Sequence, residues 1–443
     1  MKRFFSGALA LSLTLSILAG CSGSQQSSAD SQQSESSQNT SGEKQSTQTG
    51  SWATNPVKMT EEGDIDMQTA LAYQTDIDAL VTSLNAKTVD PSKPVSENLS
   101  DFALETFNYL YDGYGKRIIS AQQQTGGQQY EDLVYYDATG DLPAMKGFDF
   151  IFSTGSNPDN HLIDEAIEWH NTSGGLVTFT WHWNVPRDID DLSQGVAFYQ
   201  EKIINWSPKN AVTPGTKEYE RIIHDIDYIA MLLQRMEKEG MTVLFRPLHE
   251  ASGSWFWWGV QDKEYIQNEI FQKLWYIIYD RIENYHKLTN VIWVWNGQSK
   301  YCQVSPNSYD IAGVDFYADS EDHSALEQKY TQLSGLNQKS GKMLALSECG
   351  YIPDPQACSD AGCMWLYYMI WCGEFVYETY GEGGGVKTTL DGTPSPNPER
   401  MTKELLQQYF SNEYLVSWND LPTKREIPTG IKTWEYFRVK PAE

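Results

Sequence analysis

Met241-Thr242-Val243-Leu244-Phe245-Arg246-Pro247-Leu248-His249-Glu250 runs directly into Ala251-Ser252-Gly253-Ser254-Trp255-Phe256-Trp257-Trp258-Gly259. The first five residues read as a β-strand, which delivers an arginine, a histidine and a carboxylate to its C-terminal end. Trp255, Trp257 and Trp258 follow close behind that carboxylate. An acid beside indole faces is what a carbohydrate cleft requires. Sugar rings stack on aromatics, and apolar surroundings raise a carboxyl pKa so that the group holds a proton to donate. Trp257 and Trp258 fit a core position as well as a cleft position.

The same rhythm recurs on both sides of this segment. Short apolar runs at 117–121, 148–152, 176–181, 241–245, 290–295, 311–315, 343–347 and 366–371 each end in polar or aromatic residues. Helical patterns separate them: Ile266, Ile270, Leu274, Ile277 and Ile278 share one face of 265–286, and Ile222, Ile226, Ile229 and Leu233 share one face of 219–238. Eight strand–helix units over some 300 residues predict an α/β fold, a single-domain (β/α)8 TIM barrel. No Gly-rich nucleotide turn follows the first strand, which disfavours an open doubly wound sheet. In a barrel the site lies at the C-terminal ends of the strands. His182, Trp183, Glu250, Asn296, Tyr317, Glu348 and Trp371 gather there.

The chain has 443 residues and a formal net charge of -26. That charge argues against nucleic acid or anionic lipid as partners and suits an exported protein acting on a neutral polymer. Aromatic residues make up 13%, with 15 Trp and 26 Tyr. At the N-terminus, Lys2-Arg3 precedes an apolar run from Phe4 to Ala19, and Leu18-Ala19-Gly20-Cys21 reads as a bacterial lipobox. Residues 1–20 are thus expected to be a lipoprotein signal peptide and Cys21 the lipidated N-terminus. Residues 21–57, rich in Ser, Gln and Thr, form a disordered tether. The catalytic domain occupies 58–443, with an N-terminal helical extension over about 65–98. The expected location is outside the cytoplasm, lipid-anchored at the cell membrane or surface, and the expected state is a monomer.

Six cysteines include Cys21. Cys349, Cys358, Cys363 and Cys372 cluster, but their spacing gives no zinc knuckle. An exported protein favours disulfides instead, with Cys349–Cys372 and Cys358–Cys363 as candidate bridges and Cys302 as the odd thiol. No metal or cofactor is called for. His249 lacks a second histidine four residues on, as a helical metal pair would need.

Glu250 ends the fourth strand and Glu348 the seventh. Simple alternation puts Arg246, Leu248 and Glu250 on one face, and Leu346 and Glu348 on one face, so that both acids point into the barrel mouth. Two carboxylates flanking a sugar are the apparatus of glycoside hydrolysis. One protonates the leaving oxygen; the other attacks the anomeric carbon or activates water. The roles of Asn296 and Asp315 stay open, either being able to orient a neighbour.

Four motifs resemble glycoside hydrolase family 26, the β-mannanases: Arg-Pro-Leu-His-Glu-x-x-Gly-x-Trp-Phe-Trp-Trp-Gly (246–259), Leu-Ser-Glu-Cys-Gly (346–350), Thr-Trp-His-Trp-Asn-x-Pro (180–186) and Gly-Val-Asp-x-Tyr (313–317). The resemblance covers about residues 100–420. It implies a retaining endo-β-1,4-mannanase with Glu250 as acid/base and Glu348 as nucleophile. It further implies His249 at the cleavage site, Trp255 on the leaving-group side, Tyr317 bonded to the nucleophile, and His182 and Trp371 lining the subsite of the attacked sugar. Trp183 and Trp258 are further substrate-binding candidates, and the expected partner is a β-mannan, as polymer or oligosaccharide. Cys372 stands where some relatives carry an arginine that grips a distal sugar. Mixed-linkage β-glucan and β-1,3-xylan are the neighbouring substrates, and an inactive glycan-binding lipoprotein is the reading from another class.

Overall fold

The computed structural model describes residues 58–432 apart from 61–62, 128, 156–157, 260–264 and 382–383. The expected signal peptide, Cys21 and the Ser/Gln-rich stretch lie outside the described residues, as does part of the Gly381–Gly385 run. Among the described residues, no helix is long and apolar enough to cross a membrane.

Eight parallel strands close into a barrel: β1 Ile118–Gln123, β2 Met145–Asp149, β3 Leu176–Thr180, β4 Val243–Arg246, β5 Val291–Trp295, β6 Ile311–Phe316, β7 Met343–Cys349 and β8 Tyr367–Ile370. Each pairs with the next, and β8 returns to β1 from Ile119↔Tyr367 to Gln122↔Ile370. This is the (β/α)8 barrel expected from the apolar runs. β2 begins three residues before its predicted start, because Lys146 and Gly147 interrupt the apolar run without interrupting the strand. Lys146 points outward, ion-paired to Asp132 and 4.3 Å from the Trp169 ring centroid, so its charge is met between barrel and helix. At Gly147 an added Cβ would sit 2.2 Å from the Gln123 side chain and 2.9 Å from that of Met369, so both would have to shift.

The long helix Lys217–Lys238 shows why its sequence is helical. The Thr216 side chain caps it by accepting from Tyr219 N, acids occupy its first turn, and Arg235 and Lys238 lie in its last. Ile222, Ile226, Ile229 and Leu233 are buried along one face.

Eight strand–helix pairs become seven. No α-helix lies between β5 and β6, only the short turns Lys300–Cys302 and Pro306–Ser308. The N-terminal helix Ile77–Ala86 takes that side of the barrel, against helix Tyr265–Asp280 and the turn at 306–308. Asn307 Nδ2 donates to the carbonyls of Leu84 (2.9 Å) and Lys87 (3.0 Å). Asp310 accepts from Val95 N and Trp293 N, stapling the extension to β5. Farther along, the end of the predicted helix over 265–286 widens into a π turn, Arg281–Tyr285. There the buried Arg281 bonds Asp227 and the carbonyls of Ala70 and Tyr73. The extension is therefore part of the barrel's packing.

Cys302, Cys349, Cys358, Cys363 and Cys372 are all free and buried. The bridges proposed from spacing are not formed. Cys349 Sγ instead donates to the carbonyl of Met369 at 3.4 Å.

Candidate active site

Both glutamates reach the barrel mouth, by routes that strand alternation does not describe. β4 ends at Arg246, and the chain then turns through left-handed backbone at Leu248 (φ 53°) and Glu250 (φ 50°). Non-glycine residues rarely adopt that region, and it persists only where surroundings hold it. Here the Trp258 indole N–H donates to the carbonyl of His249 (2.9 Å), and Glu250 N donates to Asn296 Oδ1 (3.0 Å). Leu248 is buried, and with both residues in left-handed backbone the alternation expected for Arg246, Leu248 and Glu250 does not continue past the strand.

On β7, Ser347 is an extra residue. Val314 pairs with Leu346 and Asp315 with Glu348, while β8 passes from Tyr368 to Ile370 as β7 passes from Leu346 to Cys349. This bulge re-aims the strand. Ser347 Oγ donates inward to Asp315 Oδ1 (2.7 Å), and the next residue, Glu348, also faces the interior. The expected pairing of Leu346 with Glu348 on one face is corrected accordingly.

Oxygens of Glu250, Asp315 and Glu348 lie within 4.8 Å of one another. Arg246 binds two of these acids, donating Nη1 to Asp315 Oδ2 at 2.9 Å and Nη2 to Glu348 Oε1. Tyr317 donates its hydroxyl to Glu348 Oε2 at 2.9 Å. Asn296 Nδ2 donates to Asp315 Oδ1 at 2.8 Å, so Asn296 links Asp315 to the Glu250 backbone. Both residues left open by the sequence thus orient neighbours.

The charges sort themselves. Burial pushes the Glu250 carboxyl well above the usual range, and the nearby Asp315 and Glu348 push it further. Arg246 and the Trp255 indole oppose this. Burial raises Asp315 to about 7, against Arg246, with Glu348 adding to the rise. For Arg246, burial works against the charge, but Asp315 and Glu348 outweigh it and hold the guanidinium protonated. One cation and two closely held acids leave Glu250 as the natural proton carrier.

The aromatic wall is split between cleft and core. Trp255 is 37% exposed, and its indole N–H donates to Glu250 Oε2 at 3.0 Å. Tyr317 is 38% exposed, and Trp371 is half-buried, 6.0 Å from the His182 ring. Trp183 and Trp258 are enclosed, at 0% and 2% exposure. Trp183 donates to Asp225 Oδ2 at 2.9 Å, and Trp258 lies 4.5 Å from Phe256. Their place is behind the wall, not on its surface, and this corrects their reading as sugar contacts. Trp257 likewise belongs to the core.

His182 and His249 meet at the cleft floor, Nε2 to Nε2 at 3.3 Å. Burial holds His249 well below its ordinary pKa, with His182 and Arg246 acting in the same direction. Sequence reasoning missed Asp149, whose carboxylate takes the His182 ring at 2.5 Å. Its signal, an acid at a strand's C-terminal end, was hidden because the strand was placed three residues late. It also missed Phe198 and Tyr199, carried by the loop after β3. That loop pairs with the tryptophan segment through Tyr199↔Phe256 and a bond from Gln200 N to the Trp255 carbonyl.

Comparison with known proteins is consistent with this geometry. Mannan endo-1,4-beta-mannosidase B of Piromyces sp is 35% identical over 372 residues, covering 81% of this chain and 56% of that protein. The chain therefore spans little more than half the length of that relative. The solved β-(1,4)-mannanase of Podospora anserina is 29% identical with a TM-score of 0.63, over 75% of this chain and 69% of that one. The β-mannanase from a symbiotic protist of the termite Reticulitermes speratus, complexed with gluco-manno-oligosaccharide, is 26% identical. Its TM-score is 0.63, over 76% of this chain and 99% of that one. The model of glycosyl hydrolase family 26 matches residues 95–384, and the chain belongs to that family.

Proposed function

We propose that this protein is a retaining, endo-acting β-1,4-mannanase that works through a glycosyl-enzyme intermediate. The observation that carries the reading is the approach of the Glu250 and Glu348 oxygens to within 4.8 Å. Retaining glycosidases hold their two carboxyl groups about 5–5.5 Å apart, whereas inverting ones need roughly 6.5–9.5 Å to admit water. In the first step Glu250 protonates the glycosidic oxygen while Glu348, aimed by Arg246 and Tyr317, attacks the anomeric carbon. The Glu348 charge is consumed as the ester forms. One of the charges that raises the Glu250 pKa then disappears, so its pKa falls and Glu250 stays ionised, ready to act as the base when it must take a proton from water. The second step releases the sugar with its anomeric configuration retained.

Mannan as the substrate is supported by the family and by the mannanase activities of the Piromyces and Podospora proteins. Glucomannan is supported by the oligosaccharide bound to the termite-protist enzyme. The lipobox at Leu18–Cys21 supports an exported protein held to the cell surface by lipid at Cys21. The test is product analysis on glucomannan, galactomannan, mixed-linkage β-glucan and β-1,3-xylan in parallel, with proton NMR of the first-formed anomer. Manno-oligosaccharides of β configuration are expected from the first two substrates. Cleavage of β-glucan or β-1,3-xylan alone would refute the substrate, and α-anomers would refute retention.

A further inference from the structure

Behind the two catalytic acids runs a second chain of polar groups that the mechanism above does not use. It begins at Asp149, the last residue of β2, which is almost fully buried. One of its oxygens, Oδ1, accepts from two backbone amides, Ile151 N at 2.9 Å and His182 N at 3.0 Å. The other, Oδ2, lies 2.5 Å from His182 Nδ1. A carboxylate with both oxygens accepting requires a hydrogen on that ring nitrogen. His182 Nε2 then faces His249 Nε2 at 3.3 Å. Two bare nitrogens would repel across that gap, and so would two N–H groups, so a single proton lies between the rings. At the far side, His249 Nδ1 meets Thr180 Oγ1 at 3.1 Å, and the His249 carbonyl is held by Trp258. His249 sits between Leu248 and Glu250, the two residues in left-handed backbone.

We propose that Asp149 is a positioning residue: it fixes the hydrogen on His182 Nδ1 and, through the one proton shared between the two imidazoles, holds the His249 ring and so the turn that presents Glu250. The proposal rests on the glycosidase reading for its kinetic consequence, but not for its structural content. It explains why an acid on β2, with no path of its own to a reacting atom, is buried against a histidine on the cleft floor. It also explains how a turn containing two unfavourable backbone conformations stays in register. Its imidazole is anchored through three strands, β2, β3 and β4, not by its own loop alone.

Asp149→Asn tests this with little change of volume. Because Oδ1 already serves two backbone amides, the asparagine NH2 falls where Oδ2 was and presents hydrogen to His182 Nδ1. The ring must then give up its Nδ1 hydrogen, and the proton order along the chain inverts. In 15N imidazole spectra of the whole protein, His182 should carry hydrogen on Nδ1 in the native chain and lose it in the variant. On mannan, kcat should fall about 10–100-fold, the range typical of a group acting through its neighbour, while KM stays within about threefold. An unchanged tautomer, or kcat within about twofold of native, would overturn the proposal. Should the variant not fold, the native spectrum alone decides: a bare His182 Nδ1, or hydrogen on both facing Nε2 atoms, overturns it. A protein inactive on every glycan would defeat the glycosidase reading, while the spectrum would still judge the proton order.

Discussion

Tyr317→Phe removes one oxygen and, with it, the 2.9 Å bond to Glu348 Oε2. Because the ring is 38% exposed, the change costs little packing, and its effect falls on the chemistry. The size and, more tellingly, the asymmetry of that effect follow from where charge sits. A hydrogen bond to a charged group contributes about 1.5–3 kcal/mol. In the resting enzyme it is made to a full carboxylate charge, and at either transition state to about half of one. Glycosylation therefore weakens the bond on the way up, and losing it leaves that step unslowed. Deglycosylation strengthens the bond as the carboxylate departs, so losing it costs about half its value, roughly 0.8–1.5 kcal/mol, or about 4- to 13-fold in rate. The assay is stopped-flow with an aryl β-mannobioside bearing a good leaving group. The variant should show a burst equal to one enzyme equivalent, followed by a slowed steady state. Its KM should fall with kcat, because the covalent intermediate accumulates. A raised KM with unchanged kcat, or a slowed burst with an unchanged steady state, would refute both the role of Tyr317 and the identity of the nucleophile.

Glu250→Ala should lower kcat on mannan by about 10²–10⁴-fold, the contribution of a general acid, while sparing the burst on a dinitrophenyl mannobioside that needs no protonation. Near-native turnover on the polymer would remove Glu250 from the mechanism. Trp255→Phe deletes the indole N–H that lowers the Glu250 pKa, so the proton donor stays protonated to higher pH and the alkaline limb of kcat/KM should move upward. A downward shift would contradict the bond. Burial pushes Glu283 up to about 7, against the Trp293 N–H that lowers it. Its folded pKa lies above its ordinary 4.5, so the folded state binds the extra proton. Its contribution is fully present below about pH 4.5 and is lost as pH rises through 7. In urea titrations Glu283→Gln should flatten the fall in stability from pH 5 to pH 8, and an equal slope in both proteins would exclude Glu283 as its source.

Much of this was legible in the residues, and the exceptions share a cause. Apolar runs of five or six residues ending in polar or aromatic ones located all eight barrel strands, because a strand covered on both faces must be apolar along its length. Glu250 and Glu348 were legible as acids at the ends of two such runs. Their aim was not. Leu248 and Glu250 adopt a glycine-like backbone without being glycine, and Ser347 forms a bulge in a run, Leu346-Ser347-Glu348-Cys349, that reads as uninterrupted alternation. Neither event leaves a mark in residue type; both are held by distant side chains, Trp258, Asn296 and Asp315. The absent helix between β5 and β6 was missed for a related reason. The helix that takes its side of the barrel, Ile77–Ala86, comes from more than 200 residues away in the chain. Trp183 and Trp258 looked like sugar platforms because tryptophan near an acid has two uses, and only their enclosed N–H groups, spent on Asp225 and the His249 carbonyl, distinguish core from cleft.

Asp315 gives the charge arrangement its logic. A lone arginine on Glu348 would form a closed ion pair and blunt the carboxylate proposed as nucleophile. Here the Arg246 guanidinium is divided between Asp315 and Glu348, with Asp315 further bonded by Asn296 and Ser347. Glu348 is thus aimed by Arg246 without receiving the whole of its charge. The same division leaves uncompensated negative potential at the mouth, and Glu250 answers it by keeping its proton. On the proposed mechanism, the acid and the nucleophile are therefore two outcomes of one balance. Replacing Asp315 with asparagine should disturb both, tightening Arg246 onto Glu348 and lowering the pKa of Glu250 together.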